Sequence, residues 1–382
     1  MDRVFDAIVI GGGPAGFASA LALAAQGRQV AVVAGSRPPA RDGRCIALMN
    51  GAIQTLGHMG VDEAIFEHRT RLAAIRIIDA TGALLRAPTV TFRASEIGAE
   101  RFGLAIPAFD LAIQLRKAAE QAGIVAIDTA AEEITADATV STVKLADAGL
   151  LTANLVIGAD GAKSIVRQSA HIRSRAWSYP QIALTFIVSH PRDHDDISTE
   201  FHTREGPFTL VPNGDHESSV VWLVAPERAA KLLALDDAAF ALAAERQCSS
   251  ILGAFTLKGA RGQYPMRGAL TPDPTGSRVA LVGEAAHVFP PIGAQGLNLG
   301  LRDVKALAKA VKGAGDIGAP EVLKRYAEAR RFDLASRTAA VDMLNRSLLS
   351  GLFPVQMMRG AGLALLNGIK PLRQAVMRLG VA

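Results

Sequence analysis

Gly283-Glu284-Ala285-Ala286-His287-Val288-Phe289-Pro290-Pro291-Ile292-Gly293-Ala294-Gln295-Gly296-Leu297-Asn298 lies between a short apolar strand, Arg278 to Val282, and a long helical pattern from Leu297 through Val311. A strand that passes through a glycine-rich loop into a helix is the building unit of a nucleotide-binding α/β fold. Within this loop a carboxylate stands first, two prolines stiffen the path, and the glycines let backbone amides approach a ligand. The helix behind it favours negative charge at its start, because its first amides have no intrahelical partner.

The same unit recurs twice upstream. Asp6-Ala7-Ile8-Val9-Ile10 is an apolar strand, followed by Gly11-Gly12-Gly13-Pro14-Ala15-Gly16 and a helical run from Phe17 to Gln26. Its glycines at 11, 13 and 16 match the dinucleotide fingerprint: a tight turn, close approach to a pyrophosphate, then close helix–strand packing. In the middle, Leu155-Val156-Ile157-Gly158-Ala159-Asp160-Gly161-Ala162-Lys163-Ser164 runs from strand through an Asp-Gly turn towards a helix, with Arg167 one turn on. A fourth stretch, Gly313-Ala314-Gly315-Asp316-Ile317-Gly318, also spells the fingerprint, yet no strand precedes it. It reads as a turn between two helices.

These three motifs, in this order, resemble those of the single-component aromatic hydroxylases, the class of para-hydroxybenzoate hydroxylase. The resemblance implies one FAD. The first motif would take its pyrophosphate through Gly11, Gly13, Pro14, Ala15 and Gly16. The Asp-Gly motif, with Asp160, would serve flavin and reduced nicotinamide. The third would hold the ribitol through Glu284, which replaces the usual aspartate, and the redox ring through Pro291, Gly293, Gly296, Leu297 and Asn298. Pro291, Gly296 and Leu297 are the residues expected against the reacting ring, where amides at the helix start would stabilise developing negative charge. His287 looks like a metal ligand in isolation, but it matches an ordinary family position and reads as structural.

Two further positions carry the cofactor expectation. The fingerprint usually supplies an acid about 20 residues on, at the tip of the second strand; here Ala34-Gly35-Ser36 stands there, which leaves Ser36 or a backbone group for the ribose. Arg44, in Asp42-Gly43-Arg44-Cys45, resembles the arginine that lies near the FAD phosphates in this class, with a solvated arginine as the competing reading.

Within the class, the ubiquinone-biosynthesis hydroxylases are the nearest likeness. Gly206-Pro207-Phe208-Thr209-Leu210-Val211-Pro212, Tyr264-Pro265-Met266 and a tail with Phe353-Pro354 and Pro371-Leu372-Arg373 carry it. What this implies is hydroxylation of the ring of a polyprenylated phenol or quinone precursor by O2, through a flavin C4a-hydroperoxide. The reductant would be NAD(P)H or another electron donor. Two alternatives stay open: a flavin-dependent reductase of isoprenoid lipids, and a non-catalytic FAD-binding subunit of a quinone-biosynthesis assembly. No catalytic base is readable, because no neighbouring pair of ionisable residues announces itself.

Composition sets outer limits. At 382 residues, 49% hydrophobic, the chain has room for two packed domains with large cores. Ala7 to Gly27 carries no charge, but its Gly-Gly-Gly-Pro centre and strand–turn–helix order argue against a membrane span. Neither a signal peptide nor a transit segment is read at the start, so the expected location is the bacterial cytoplasm or the cytoplasmic face of the inner membrane. Cys45 and Cys248 show no metal or disulfide pattern, and no metal is expected. His194, between Asp193, Asp195 and Asp196, reads as part of a solvated acidic loop. Of the formal charge of +5, all is matched by the tail after Met343, which has five cations and no acid among many Leu, Met and Phe residues. That pattern suits an anionic membrane surface or another quinone-biosynthesis protein, against the alternative of a helix packed on the body. Nucleic acid is disfavoured at 5% aromatic residues with no basic run.

The expected fold is α/β. A Rossmann-like FAD-binding domain, discontinuous in sequence, occupies residues 1–70, 106–175 and 271–342. An antiparallel β-sheet substrate domain takes its strands from 71–105 and 176–270, and apolar, basic C-terminal helices fill 343–382. A helix is expected from Ala47 to about Met59, and further strands at Ile182–Val188, Ser198–Thr203, Phe208–Val211, Ser218–Val224 and Phe255–Tyr264.

Overall fold

The computed structural model describes residues 3–35, 44–67, 69–82, 86–290, 295–349, 360–362, 364–366 and 368–381. Of the residues expected at the cofactor, Ser36, Pro291 and Gly293 lie outside these.

The nucleotide sheet is parallel at its centre, in the order β18 (Val279–Leu281), β11 (Leu150–Gly158), β1 (Arg3–Ile10), β2 (Val30–Val33) and β8 (Val125–Ile127). A short antiparallel strand, β17 (Thr275–Gly276), closes one edge, and β9 (Ala131–Ala136) and β10 (Ser141–Leu145) extend the sheet from β11. Alternation along β1 divides the core. Ala7 and Val9 face the helices α1 (Pro14–Ala24), α3 (Ala108–Gln121), α7 (Gln295–Val311) and α8 (Pro320–Leu349), whereas Ile8 and Ile10 face the β9–β10 side and the short α4 (Ile165–Ser169). Helix α1 is buried from Gly16 to Leu23, which is why its sequence is apolar all round.

The second sheet has the order β19 (His287–Val288), β16 (Thr256–Leu270), β12 (Arg175–Ser189), β15 (Glu217–Val224), β14 (Gly206–Pro212), β13 (Ile197–Thr203), β5 (Ala74–Asp79) and β6 (Val90–Arg93). Its pairs are antiparallel except β13 with β5, which is parallel and corrects a purely antiparallel expectation. The outer face carries Leu184, Phe186, Phe208, Val220 and Trp222 against helices α5 (Pro226–Leu233) and α6 (Asp237–Gln247). Edge-on rings fill that layer, with Phe186 and Phe240 4.8 Å apart and Phe208 and Trp222 5.4 Å apart.

A third, small sheet of β3 (Cys45–Met49), β7 (Gly103–Pro107) and β4 (Thr70–Leu72) lies at the junction. Here the structure departs from the helix expected at Ala47. Residues 45–49 are a strand, because β7 pairs with them over five residues, and helix α2 (Asn50–His58) begins only at Asn50. Two expected boundaries fall inside elements: β7 crosses residue 105, and α8 runs through 342 without a break.

Helix α8 is 30 residues long, about 45 Å, and it ties the two large sheets together. Near its start the Tyr326 hydroxyl donates to the Leu281 carbonyl at 2.6 Å. Near its end Asn345 Nδ2 donates to Gln181 Oε1 at 3.0 Å, and Tyr179 donates to Asp342 at 2.6 Å. The residues 313–318 form the expected turn between α7 and α8, with Asp316 paired to Arg278 at 2.6 Å. The described part of the tail ends in α9 (Lys370–Val381).

Candidate functional site

Three separate turns meet at one edge of the nucleotide sheet. Ile10 at the end of β1 is level with Gly158 of β11 and Val33 of β2, and Gly158 is level with Leu281 of β18. The residues that follow are stitched together. Gly11 N–H donates to the Val33 carbonyl at 2.9 Å, Ala159 N–H to the Ile10 carbonyl at 2.8 Å, and Val282 N–H to the Gly158 carbonyl at 2.9 Å. Strand order reverses between β1 and β11, so the crevice outside their carboxyl ends is where such a sheet binds a ligand.

The first turn has the shape of a phosphate cradle. Gly11 has φ +121°, and a side chain on it would strike the Ala159 carbonyl. A side chain on Gly16 would strike the Gly11 carbonyl, so these two glycines close the turn against its own backbone. Gly13 is different: a methyl group there would meet nothing within 4 Å. Gly13 caps α1, Pro14 opens the helix, and neither a side-chain cap nor a first-turn acid serves its amides. An uncapped helix start behind an open glycine fits a pyrophosphate.

Asp160 has one oxygen engaged and one waiting. Its Oδ2 accepts the Ile165 and Val166 N–H groups at 2.7 and 3.3 Å, while Ser164 caps α4 by accepting the Arg167 N–H at 3.0 Å. Its Oδ1 is buried without a hydrogen-bond partner among the described residues, the state expected of an acceptor that meets a ligand hydroxyl. Arg167 fastens this turn to the third by donating to the Ala285 and Ala162 carbonyls at 2.8 and 2.7 Å.

The third turn rests on a residue that the sequence did not single out. Gly283 has φ +58°, and its N–H donates to Asp303 Oδ2 at 2.9 Å. The same oxygen lies 2.6 Å from His287 Nε2, and Asp303 Oδ1 accepts from Arg330 Nε at 2.7 Å. Asp303 is wholly buried. His287 is therefore held inside the protein, as its structural reading expected. Around Gly283, Ala15 of α1 and Gly300 of α7 pack closely, which leaves Glu284 exposed with no hydrogen bond among the described residues. Glu284 and Asp160 Oδ1 thus offer two carboxylate oxygens to a polyol.

At the start of α7, Gly296 is exposed with nothing within 4 Å of its Cβ direction, and Leu297 packs on the core. Asn298 has its side chain committed to protein: Oδ1 accepts the Met49 N–H at 2.9 Å and Nδ2 donates to the Ala47 carbonyl at 2.8 Å. It locks β3 to α7, so its contribution to the cofactor reduces to its backbone. Arg44 lies beside β3 with its guanidinium 5.2 Å above the Tyr264 ring of β16, against the second sheet.

Elsewhere, burial pushes the thiols of Cys45 and Cys248 up, to about 12 and about 11, so both stay protonated. His194 corrects the solvated-loop expectation: it is buried, with Nε2 2.5 Å from the Gly214 carbonyl and Nδ1 accepting the Asp196 N–H. Among the described residues no group of His, Cys, Asp and Glu is placed to hold a metal, and no helix is long and apolar enough to cross a membrane.

A family described as FAD binding domain matches residues 4–340. Ubiquinone hydroxylase UbiL of Rhodospirillum rubrum is 31% identical, covering 99% of this chain and 89% of its own. The 3-demethoxyubiquinol 3-hydroxylase of Escherichia coli is 36% identical over 220 residues, 56% of each chain. Among solved structures, p-nitrophenol 4-monooxygenase PnpA from Pseudomonas putida superimposes with a TM-score of 0.80 at 18% identity, over 99% of this chain and 97% of that one.

Proposed function

The chain belongs to the FAD binding domain family of these flavin hydroxylases, and from that premise we propose that it hydroxylates the aromatic ring of a polyprenylated phenol in ubiquinone biosynthesis. The observation that carries the proposal is the meeting of three turns whose open groups match the parts of one FAD. The uncapped start of α1 would take the pyrophosphate, Asp160 Oδ1 and Glu284 would take the ribitol, and the exposed Gly296 at the start of α7 would meet the ring.

FAD, bound and reduced by NAD(P)H or another donor, supplies the electrons with which O2 gives one atom to the ring and one to water. The chain positions the partners and keeps water away. Tyr179, Ala183, Leu223 and Met266 pack into one buried apolar cluster on the second sheet, and an apolar interior of this kind suits a phenol with a greasy tail. Burial, with Asp342 accepting its proton, pushes Tyr179 up to about 12, so it serves as a neutral part of that cluster.

The tail supports contact with a membrane surface. Leu365, Ile369, Leu372 and Val376 are 53, 45, 43 and 43% exposed and recur at helical spacing through α9 and the residues just before it, interleaved with Lys370 and Arg378. We place the working protein on the cytoplasmic face of the inner membrane, where its substrate resides.

The test is incubation of FAD-loaded protein with a polyprenylated phenol, reductant and 18O2. Hydroxylation requires one labelled oxygen in the product. Hydrogen gained without label identifies a reductase, and an unchanged phenol with unreactive flavin identifies a non-catalytic subunit.

A further inference from the structure

Two polar atoms on the inner face of the second sheet are buried and have no hydrogen-bond partner among the described residues: His202 Nδ1 and Thr209 Oγ1. They are near neighbours. Thr209 lies directly across from Glu200, two residues before His202 on the same face of β13. This is the face towards the cofactor domain. Ile77, level with Glu200, packs in one cluster with Ala47 and Met49 of β3, which Asn298 clasps to the start of α7. Further along, Ala183 is level with both Leu223 and Tyr264, the ring under Arg44.

His202 Nε2 lies 2.7 Å from Glu200 Oε1, and the two side chains are 3% and 13% exposed. A carboxylate accepts only, so Nε2 carries a proton, and in the neutral ring Nδ1 presents a lone pair. A carboxylate that fixes the tautomer of a buried imidazole makes a base of its other nitrogen. Leaving two such atoms unpaired costs stability, and nothing among the described residues repays it.

We propose that His202 is the base for the hydroxylation: its Nδ1 takes the proton of the substrate's phenol hydroxyl, Glu200 orients it, and Thr209 Oγ1–H donates to the phenolate oxygen. The inference rests on the hydroxylase reading above. In the step, the phenol O–H bond breaks, its electron pair stays on oxygen, and an N–H bond forms on His202. With O2 and the reductant of the hydroxylase reading, one oxygen atom bonds to the ring carbon, that carbon gives up its C–H proton, the other oxygen leaves as water, and His202 returns its proton to the phenolate oxygen. Charge around the pair is otherwise settled. Asp79, level with His202 on β5, accepts from Thr81 N–H, Thr81 Oγ1 and Ala87 N–H at 3.0, 2.6 and 3.0 Å. Arg204 donates to the Thr81 carbonyl at 2.8 Å. On β14 and β15 the facing residues are Pro207, Thr209, Val221 and Leu223, none of which titrates. Asp342 of α8, which packs on β14, is engaged by Tyr179 and Arg346.

The experiment uses FAD-loaded protein and 2-geranylphenol, with ionisation of the bound phenol read by ultraviolet difference spectra across pH and product read by mass. In the wild type the bound phenol should ionise about one pH unit or more below the free phenol. His202→Gln should abolish that shift and slow hydroxylation about 100-fold at neutral pH, with recovery as pH rises and the phenol ionises by itself. Glu200→Gln and Thr209→Val should each lose part of the shift. If His202→Gln does not retain FAD, Glu200→Gln reads the same step. An ionisation curve and pH–rate profile unchanged in these variants would overturn the assignment, as would a wild type that binds the phenol without ionising it. A shifted ionisation without oxygenated product would instead overturn the hydroxylase reading and leave the base standing.

Discussion

Asp303 Oδ2 receives the Gly283 N–H at 2.9 Å and lies 2.6 Å from His287 Nε2, so one buried carboxylate props up the turn that carries Glu284. Its other oxygen accepts from Arg330, whose side chain is 5% exposed. Removing one partner of a buried ion pair leaves the other charge without compensation. Asp303→Ala should therefore destabilise the protein by about 3–5 kcal/mol and release FAD, checked by urea denaturation and by flavin content after gel filtration. Asp303→Asn keeps the shape and should cost less.

The same network predicts a response to acid. Burial alone would push Asp333 up, but hydrogen bonds from Arg337 and Arg330 at 2.7 Å outweigh it and hold the carboxyl at about 2, below its ordinary 3.8. A carboxyl depressed on folding stabilises the protein above its unfolded value, and that contribution is lost as pH falls through the folded value. The stability difference between wild type and Asp333→Asn should be on the order of 2 kcal/mol near neutrality. It should shrink between about pH 4 and pH 2. A difference that stays constant over that window would show that the ion pairs are not formed.

Gly13 and Gly16 should fail in different ways. A side chain on Gly16 meets the Gly11 carbonyl, whereas one on Gly13 points into open space. Gly16→Val should damage the turn itself and lower the melting temperature of the protein without cofactor. Gly13→Val should fold and melt like the unliganded wild type yet take up no FAD, because the added carbons fill the cradle. Full flavin occupancy in Gly13→Val would refute the placement of the pyrophosphate.

How much of this was legible beforehand varies by element. The three turns were readable because each combines a strand, glycines and a helix start, and the backbone bonds of Gly11, Ala159 and Val282 to Val33, Ile10 and Gly158 bring those turns to one sheet edge. Residues 47–49 misled because Ala, Leu and Met favour helices locally, while pairing with β7 and the Asn298 clasp are distant in sequence. Helix α5 gave little signal, since its eight residues offer barely two turns of periodicity. Asp303 gave one usable signal. It falls in register with Gly300 and Leu307 on the buried side of α7, and a charge on an apolar helix face calls for a buried partner. His202 and Glu200 alternate within an ordinary strand pattern, so only the fold could set Thr209 beside them.

Glu284 is the sharper probe of the ribitol end, because it is exposed and bonded to nothing among the described residues. Glu284→Ala should leave the stability of the cofactor-free protein within about 0.5 kcal/mol of wild type. A charged hydrogen bond contributes about 1.5–3 kcal/mol, so FAD affinity should fall about tenfold or more, measured by flavin fluorescence titration. Equal affinity would mean that the carboxylate points away from the cofactor.

The apolar row on the tail makes the last prediction. Leu365, Ile369, Leu372 and Val376 stand outward, whereas Arg373, between them in sequence, turns inward to Glu96 at 2.7 Å and to the Thr91 carbonyl. That inward anchor fixes the helix against β6 and leaves the apolar row facing solvent, with Lys370 and Arg378 to meet anionic headgroups. Replacing Ile369 and Leu372 with Ser should reduce flotation with anionic vesicles several-fold, and raised salt should weaken wild-type binding further. Arg373→Ala should act differently, loosening the helix and lowering thermal stability. If the double Ser variant floats as well as wild type, the row is not the membrane face.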